Sequence, residues 1–321
     1  MDNTQEIESP EVFNKELLEA IAGSEDGHLK KASAAASKMV RRRIRENGFS
    51  RLILPYKQIS DSDLNQMVDT ELPVIIEEME PFSPGAKSIS FNDSADTEFY
   101  RGDKFVVYFS KISTPEFSKN VDELRTYRMD LRQIITDNAL KDVQTEEDAR
   151  FIKTIDRIVG TENTADGDAG VVQNFKIVDA ASSGHITRAN YVDVLSHLED
   201  RNLNNGCFLM NRKTAKDFLR LGRDVIGGDL AQSLLEDGLV ALQKAQVFGV
   251  KHLFTIKRDL VPDGVVYEFA EPGYLGKAYI LQDVTMYVEK KKDILRFSAL
   301  EKIGITIANT AAVGRTRYAA S

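Results

Sequence analysis

The densest cluster of chemistry-bearing side chains is Lys38, Arg41, Arg42, Arg43 and Arg45, five cations within eight residues. A run of this kind neutralises phosphates or carboxylates. The chain itself supplies carboxylates on both sides. Residues 1–26 carry eight acidic groups and one lysine, net −7. Residues 28–58 carry nine Lys/Arg against Glu46, net +8, and residues 61–100 carry ten acidic groups against Lys87, net −9. The remaining 221 residues hold 31 basic and 31 acidic groups, so the overall −8 arises in the first third. Blocks of one sign repel themselves when compact and belong in extended arms. The basic block is therefore read as pairing with acidic protein surface, such as Glu77, Glu78 and Glu80, with nucleic acid as the alternative partner.

No other cluster makes a reaction centre. Gly222 to Asp229 shares only glycine content with a phosphate loop and lacks the Lys-Ser/Thr end. Cys207 with His185, His197 or His252 offers a nucleophile and a base, but Cys207 lies in an apolar run, where cysteine behaves as a small hydrophobe. Asn92 to Asp103 begins like a calcium loop and then has Thr97 and Asp103 where glycine and glutamate are needed. Asp166-Gly-Asp168 reads as a loop and Lys290 to Lys292 as a solvated turn. One cysteine excludes an intrachain disulfide, and four scattered histidines give no metal site. No catalytic residue, cofactor or metal is expected.

The elements that position the charge blocks follow from pattern. Residues 10–22 and 29–46 are helical by apolar spacing and alanine content, and 61–72 reads as another short helix. Residues 73–113 alternate and carry turn residues, giving a long antiparallel hairpin with a polar tip. Such a hairpin does not pack alone and needs a surface elsewhere. Thr114-Pro115-Glu116 has the form of a helix start. Leu124 to Ile135 and Ala149 to Ile158 keep helical spacing, with Thr145 to Asp148 resembling a capping-box restart. The result is one long helix or two in tandem, ending at Gly160. The Gly-rich stretch 160–186 marks a domain boundary. Beyond it, a helix after Thr187, a buried strand at 207–210, a helix capped by Asn211, a helix at 229–246 and strands at 251–256, 264–270 and 275–282 make a compact α/β unit. Residues 284–318 return to strand, with Ile303, Ile305 and Ile307 on one face. No apolar run approaches the ~18 residues that span a bilayer, and the acidic start lacks a signal peptide's form, so neither membrane insertion nor secretion is expected.

The order of parts, an arm, a hairpin, a long helix, an α/β unit and a strand return, resembles the major capsid proteins of tailed bacteriophages with the Hong Kong 97 phage-type fold. Three passages carry the resemblance: residues 73–159, the run HITRANYVDVLSHLEDRNLNNGCFLMNRKTAKDFLRL, and the closing DVTMYVEKKKDILRFSALEKIGITIANTAAVGRTRY. It implies an α+β fold: an N-terminal arm (1–58), a peripheral domain (59–160) with an extended loop (74–112) and a spine helix (114–159), an axial domain (161–283), and a return to the peripheral domain (284–321). It implies a homo-oligomeric shell of pentamers and hexamers around double-stranded DNA, a virion location, assembly in the host bacterial cytoplasm, and a portal and decoration protein as partners. Some 60 residues before the hairpin are too few for a cleaved scaffolding domain, so a separate scaffold protein is expected. The expected inter-subunit contacts are Lys38, Arg41, Arg42, Arg43, Arg45, Glu77, Glu78, Glu80, Lys87, Phe91 and Arg101. Lys87, Lys104 and Asn309 are of the types that crosslink in some members; no isopeptide bond is expected here. Encapsulin nanocompartments, which resemble phage shells and hold cargo enzymes, are the alternative. A soluble enzyme and a nucleic-acid-binding protein are more distant ones.

Overall fold

A computed structural model describes residues 48–79, 88–91, 93–94, 97, 103–120, 131–160, 175–177, 186–220 and 249–317. Its larger sheet has seven strands: β1 (Tyr56–Gln58), β2 (Asn65–Met67), β3 (Thr70–Met79), β4 (Asp103–Ser113), β5 (Phe117–Asn120), β10 (Gly276–Lys291) and β11 (Ile294–Ile307). The order is β1-β10-β11-β4-β3-β2, with β5 also pairing β11. The expected hairpin is present at its base: β3 and β4 run antiparallel, with Val74 opposite Tyr108 and Glu78 opposite Lys104. On β11 the core-facing positions alternate. Leu295, Phe297, Ala299, Glu301 and Ile303 are buried, as period two requires. Glu301 is thus a carboxylate in an apolar register. The β10–β11 turn falls at the three-lysine run, where Lys292 takes a positive φ of 56° and is exposed.

The smaller sheet has five strands in the order β6-β12-β9-β7-β8: β6 (Phe175–Ile177), β7 (Asn205–Asn211), β8 (Lys251–Thr255), β9 (Val265–Ala270) and β12 (Val313–Arg317). All six residues of β9 are buried, as expected of a strand covered on both faces. The expected helix after Thr187 is α3 (Arg188–Glu199), which packs Tyr191, Val194 and Leu198 inward. Asn211 caps the four-residue α4 (Arg212–Ala215) by accepting from the Lys213 N–H at 2.7 Å. The chain then continues as a tighter 3-10 turn. Between β9 and β10 lies a one-turn helix, α5 (Pro272–Leu275).

Two helices tie the sheets together. The long α2 (Leu131–Val159) is continuous over 29 residues, about 43 Å at 1.5 Å per residue. It ends at Gly160, whose φ of 77° suits glycine. Phe151, Ile152, Ile155 and Val159 of α2 join Tyr267 and Phe269 of β9, Leu209 of β7 and Val313 of β12 in one cluster. The same cluster takes in Phe49, Ile53 and Leu54 of or beside α1 (Phe49–Ile53).

Several expectations are corrected. Residues 61–72 are a 3-10 turn at Asp61–Asp63 followed by strand, because Val74 and Ile75 complete a ladder with Tyr108 and Val107 that an isolated short helix cannot match. Thr114-Pro115-Glu116 does not start a helix: the Thr114 N–H donates to the Ala299 carbonyl, the Ala299 N–H donates to the Thr114 hydroxyl, and Phe117–Asn120 then adds a strand to β11. Thr145 does not restart a helix either; its hydroxyl donates back to the Lys141 carbonyl at 2.7 Å within an unbroken α2. Strands 275–282 and 284–289 are a single 16-residue β10, the break being absorbed by register shifts around Gln282. Residues 49–58, assigned to the arm, are packed into the core, and Val313–Arg317, assigned to the return, joins the smaller sheet instead of the larger one. The expected helices at 10–22, 29–46 and 229–246 and the hairpin tip lie outside the described residues or nearly so.

Gly206 marks the tightest backbone approach between β7 and β9. A Cβ there would stand 2.6 Å from the Ala270 carbonyl oxygen and 2.8 Å from the Glu271 nitrogen. Both obstacles are backbone and cannot rotate away. Gly206→Ala is expected to destabilise the fold by about 1–3 kcal/mol, read as a lower urea midpoint with an unchanged slope.

Candidate functional site

The expected contact residues fall into two groups. Glu77, Glu78 and Phe91 lie among the described residues; Lys38, Arg41, Arg42, Arg43, Arg45, Glu80, Lys87 and Arg101 lie outside them. Glu77 points across β3 toward β10, where the Tyr279 hydroxyl donates to Oε1 and Lys277 Nζ donates to Oε2 at 3.0 Å. Burial pushes this carboxyl up, but the Tyr279 and Lys277 contacts outweigh it and hold it below the ordinary value. Glu78 pairs with Lys104 at 2.9 Å, both exposed. Neighbouring apolar side chains face solvent: Val68 and Phe91 are fully exposed, and Leu72, Tyr108 and Ile89 are more than half exposed. Exposed apolar groups interleaved with charges along one hairpin make a surface suited to contact with another chain.

At the root of the arm sits a buried charge cluster that pattern reading missed. Arg51 of α1 donates from Nε to both oxygens of Glu147 at 3.2 Å, and from Nη2 to Glu147 at 2.5 Å and to Glu301 at 2.6 Å. The side chains are 5% exposed for Arg51 and 0% for both glutamates. One guanidinium facing two carboxylates leaves a surplus negative charge. Burial, then the Glu147 charge, push the Glu301 carboxyl up to about 9, so it holds its proton at neutral pH. Beside it, Asp148 accepts from the Ser50 N–H at 3.1 Å and from Lys257 Nζ at 2.7 Å. Gly48, at the N-cap of α1, has no side chain to cap it, so Asp148 of α2 serves the free N–H instead. The legible signal was a carboxylate in an apolar register at two places: Glu147 between Val143 and Phe151 on α2, and Glu301 between Ala299 and Ile303 on β11.

The smaller sheet carries two histidine sites. His197 of α3 contacts Glu268 of β9 at 2.5 Å, while Arg201 donates to its other ring nitrogen at 2.8 Å. Since the arginine can only donate, Nδ1 carries the hydrogen that faces Glu268. The Thr316 hydroxyl donates to the second Glu268 oxygen, so α3, β9 and β12 are locked by one network. His252 of β8 sits 1% exposed among Tyr191, Phe208, Phe218 and Phe254, with the Tyr191 hydroxyl 2.6 Å from Nε2. Burial drives its pKa down to about 4. Cys207 is buried and its thiol is pushed up to about 12 by burial, which makes it a poor nucleophile. Among the described residues no group of three or more His, Cys, Asp or Glu side chains is placed to hold a metal ion, and no helix is long and apolar enough to cross a membrane.

The sequence matches no family model and no curated protein. The structure does find neighbours. It superposes on the capsid of a native GTA particle with a TM-score of 0.59 at 16% identity, covering 84% of this chain and 89% of that one. It superposes on a virus-like particle from Pyrococcus furiosus with a TM-score of 0.53 at 17% identity, covering 90% and 98%. The capsid of cyanophage P-SCSP1u gives a TM-score of 0.57 at 10% identity, covering 84% and 87%. The chain has the Hong Kong 97 phage-type capsid fold. In this fold the Arg51 cluster joins α1 to α2 and β11, and the hairpin exposes apolar and charged side chains.

Proposed function

We propose that the chain is the structural subunit of an icosahedral shell, the major capsid protein of a tailed bacteriophage. The observation that carries this is coverage: the likeness runs through 84–90% of the chain onto proteins that are themselves capsids and particles. The mechanism is distributed association. Residues 1–47 and the loop 74–112 each engage neighbours, and several weak contacts held at once give strong assembly without an active site. Residues 59–160 with the strand return are read as the peripheral domain, and the α/β unit as the axial domain that clusters at five-fold and six-fold positions. A separate scaffold, a portal, a decoration protein and double-stranded DNA are the partners of such a shell; it forms in the bacterial cytoplasm and persists in the virion.

Electron microscopy of the purified protein, with light scattering for mass, tests the reading. Regular shells of megadalton mass support it; a 35.9 kDa species that stays monomeric with scaffold present sinks it. Nuclease-protected genomic DNA inside the particles supports a phage head, whereas protein cargo without DNA supports an encapsulin. Charge complementarity sets register between subunits more than raw affinity. The triple variant Arg41→Glu, Arg42→Glu, Arg43→Glu is therefore expected to stop assembly while leaving the circular dichroism of the subunit unchanged. Normal shells from it would remove the arm's basic block from the mechanism.

A further inference from the structure

A groove of about 520 Å³ runs between α2 and the larger sheet. Its helix wall presents Lys153 and Arg157, one turn apart and both exposed. Neither makes an ion pair or hydrogen bond among the described residues. Like charges at i, i+4 destabilise a helix, and the repulsion is relieved when a carboxylate lies against both. The sheet wall is apolar and aromatic: Tyr108, 59% exposed, and the half-buried Ile305. One end is closed by Arg150, already bound to Glu146 at 3.0 Å, to the Lys111 carbonyl at 3.0 Å and to the Ser110 hydroxyl. The groove thus offers two uncommitted cations beside an apolar strip about one helix wide.

The chain contains a segment with the complementary pattern. Residues 1–26 carry net −7, and within them Val12, Leu17, Leu18 and Ile21 fall at helical spacing among Glu11, Glu16 and Glu19. We propose that the groove is the seat of this acidic segment from a neighbouring copy of the chain, a placement that rests on the shell reading. Its carboxylates lie against Lys153 and Arg157, and its apolar face covers Tyr108 and Ile305. Residues 27–47, 21 in number, separate the segment from Gly48 by up to about 70 Å if extended at ~3.3 Å each and by about 30 Å if helical at 1.5 Å each. Nucleic acid fits less well: phosphates would neutralise Lys153 and Arg157 but leave the apolar strip of Tyr108 and Ile305 uncovered.

The test uses the full-length protein with a photoreactive phenylalanine at position 13. Equal parts of light- and heavy-isotope protein are assembled, illuminated, digested and mapped by mass spectrometry. The expected crosslinks join the segment of one isotope to peptides holding Tyr108 or residues 149–157 of the other. Lys153→Gln with Arg157→Gln is expected to lower their yield about tenfold, the size two screened ion pairs supply together. Lys153→Glu with Arg157→Glu is expected to lower it further, and adding Glu16→Lys with Glu19→Lys is expected to restore it. Lys153 and Arg157 are exposed, and every variant is checked for unchanged circular dichroism. Crosslinks confined to one copy, crosslinks to other surfaces, or yields indifferent to these charges would overturn the proposal. So would loss of retained DNA with the crosslinks intact, which would assign the groove to phosphate. Particles without the crosslinks sink the groove and leave the shell standing; crosslinks between copies without particles do the reverse.

Discussion

Arg51→Ala is expected to destabilise the subunit by about 3–5 kcal/mol, the effect of stripping the partner from a buried ion cluster. Arg51 is the sole cation directly on Glu147 and Glu301 among the described residues, and both carboxylates are fully buried. Without it, two buried carboxyls lose their guanidinium partner, and α1 loses its tie to β11 and its ion pair to α2, keeping only the Ser50–Asp148 bond and apolar packing. Urea unfolding at pH 7 measures the loss; hydrogen exchange at residues 49–54 should rise before the rest of the core opens. Arg51→Leu combined with Glu147→Leu and Glu301→Leu should recover most of it, because well-packed apolar groups replace buried ion pairs at little loss. A triple variant as unstable as the single one would place the effect in packing and not in charge.

The same cluster fixes the sign of an alkaline effect. The Glu301 carboxyl lies near 9 in the folded chain against an ordinary 4.5. Between these values the folded state holds a proton that the unfolded state has released. Stability is therefore fully present below about pH 4.5 and falls as pH rises toward 9, by up to ~1.4 kcal/mol per unit for this group alone. Glu301→Gln imitates the protonated form and should flatten that slope.

Acid should weaken the smaller sheet by about 3 kcal/mol through His252. Its folded pKa of about 4 lies below the ordinary 6.5 because the ring is buried among four aromatic side chains. Here the unfolded state binds the extra proton. The stability is whole above about pH 6.5 and is lost as pH falls through the window down to about 4. Protonation also places a charge 2.6 Å from the Tyr191 hydroxyl inside the aromatic surroundings. Urea midpoints measured from pH 7 to pH 4 in a Glu301→Gln background, where the opposing Glu301 contribution is absent, should show the fall. His252→Gln keeps an acceptor for Tyr191 and cannot take the charge, so it should lose the pH dependence even if its stability at pH 7 is lower. An unchanged acid slope in that variant would move the effect to another group, with His197 and Glu268 the next to examine.

Much of the architecture was legible because local pattern and burial agree. The β3–β4 hairpin, the α2 helix ending at Gly160, α3 after Thr187, the buried strand at Cys207–Met210 and the lysine turn at 290–292 each follow from spacing that one neighbouring face satisfies. The errors share a cause. Thr114-Pro115-Glu116 has good helix-start chemistry, and a strand was nonetheless formed because β11 is long enough to pair with both β4 and Phe117–Asn120. Residues 61–72 likewise gave up a weak local helix to strand: Asn65 and Met67 of β2 pair with Val74 and Thr70 of β3, which runs on to pair β4. Val313–Arg317 alternates like the strand before it, yet a 3-10 turn at Thr310–Ala312 carries it to the other sheet.

The amino-acid sequence alone determined the segmentation of charge, the element types with strong period and the lack of a recognisable catalytic constellation. Those properties are additive along the chain, so they can be read residue by residue. Tertiary structure alone decided that Arg51 meets Glu147 and Glu301, from positions 96 and 250 residues away. It also decided that Asp148 caps a helix 98 residues earlier and that Lys153 and Arg157 face an apolar wall. A buried charge has no local signature of its partner. Its free energy depends on which distant group shares its low-dielectric surroundings, and only the packed chain specifies that.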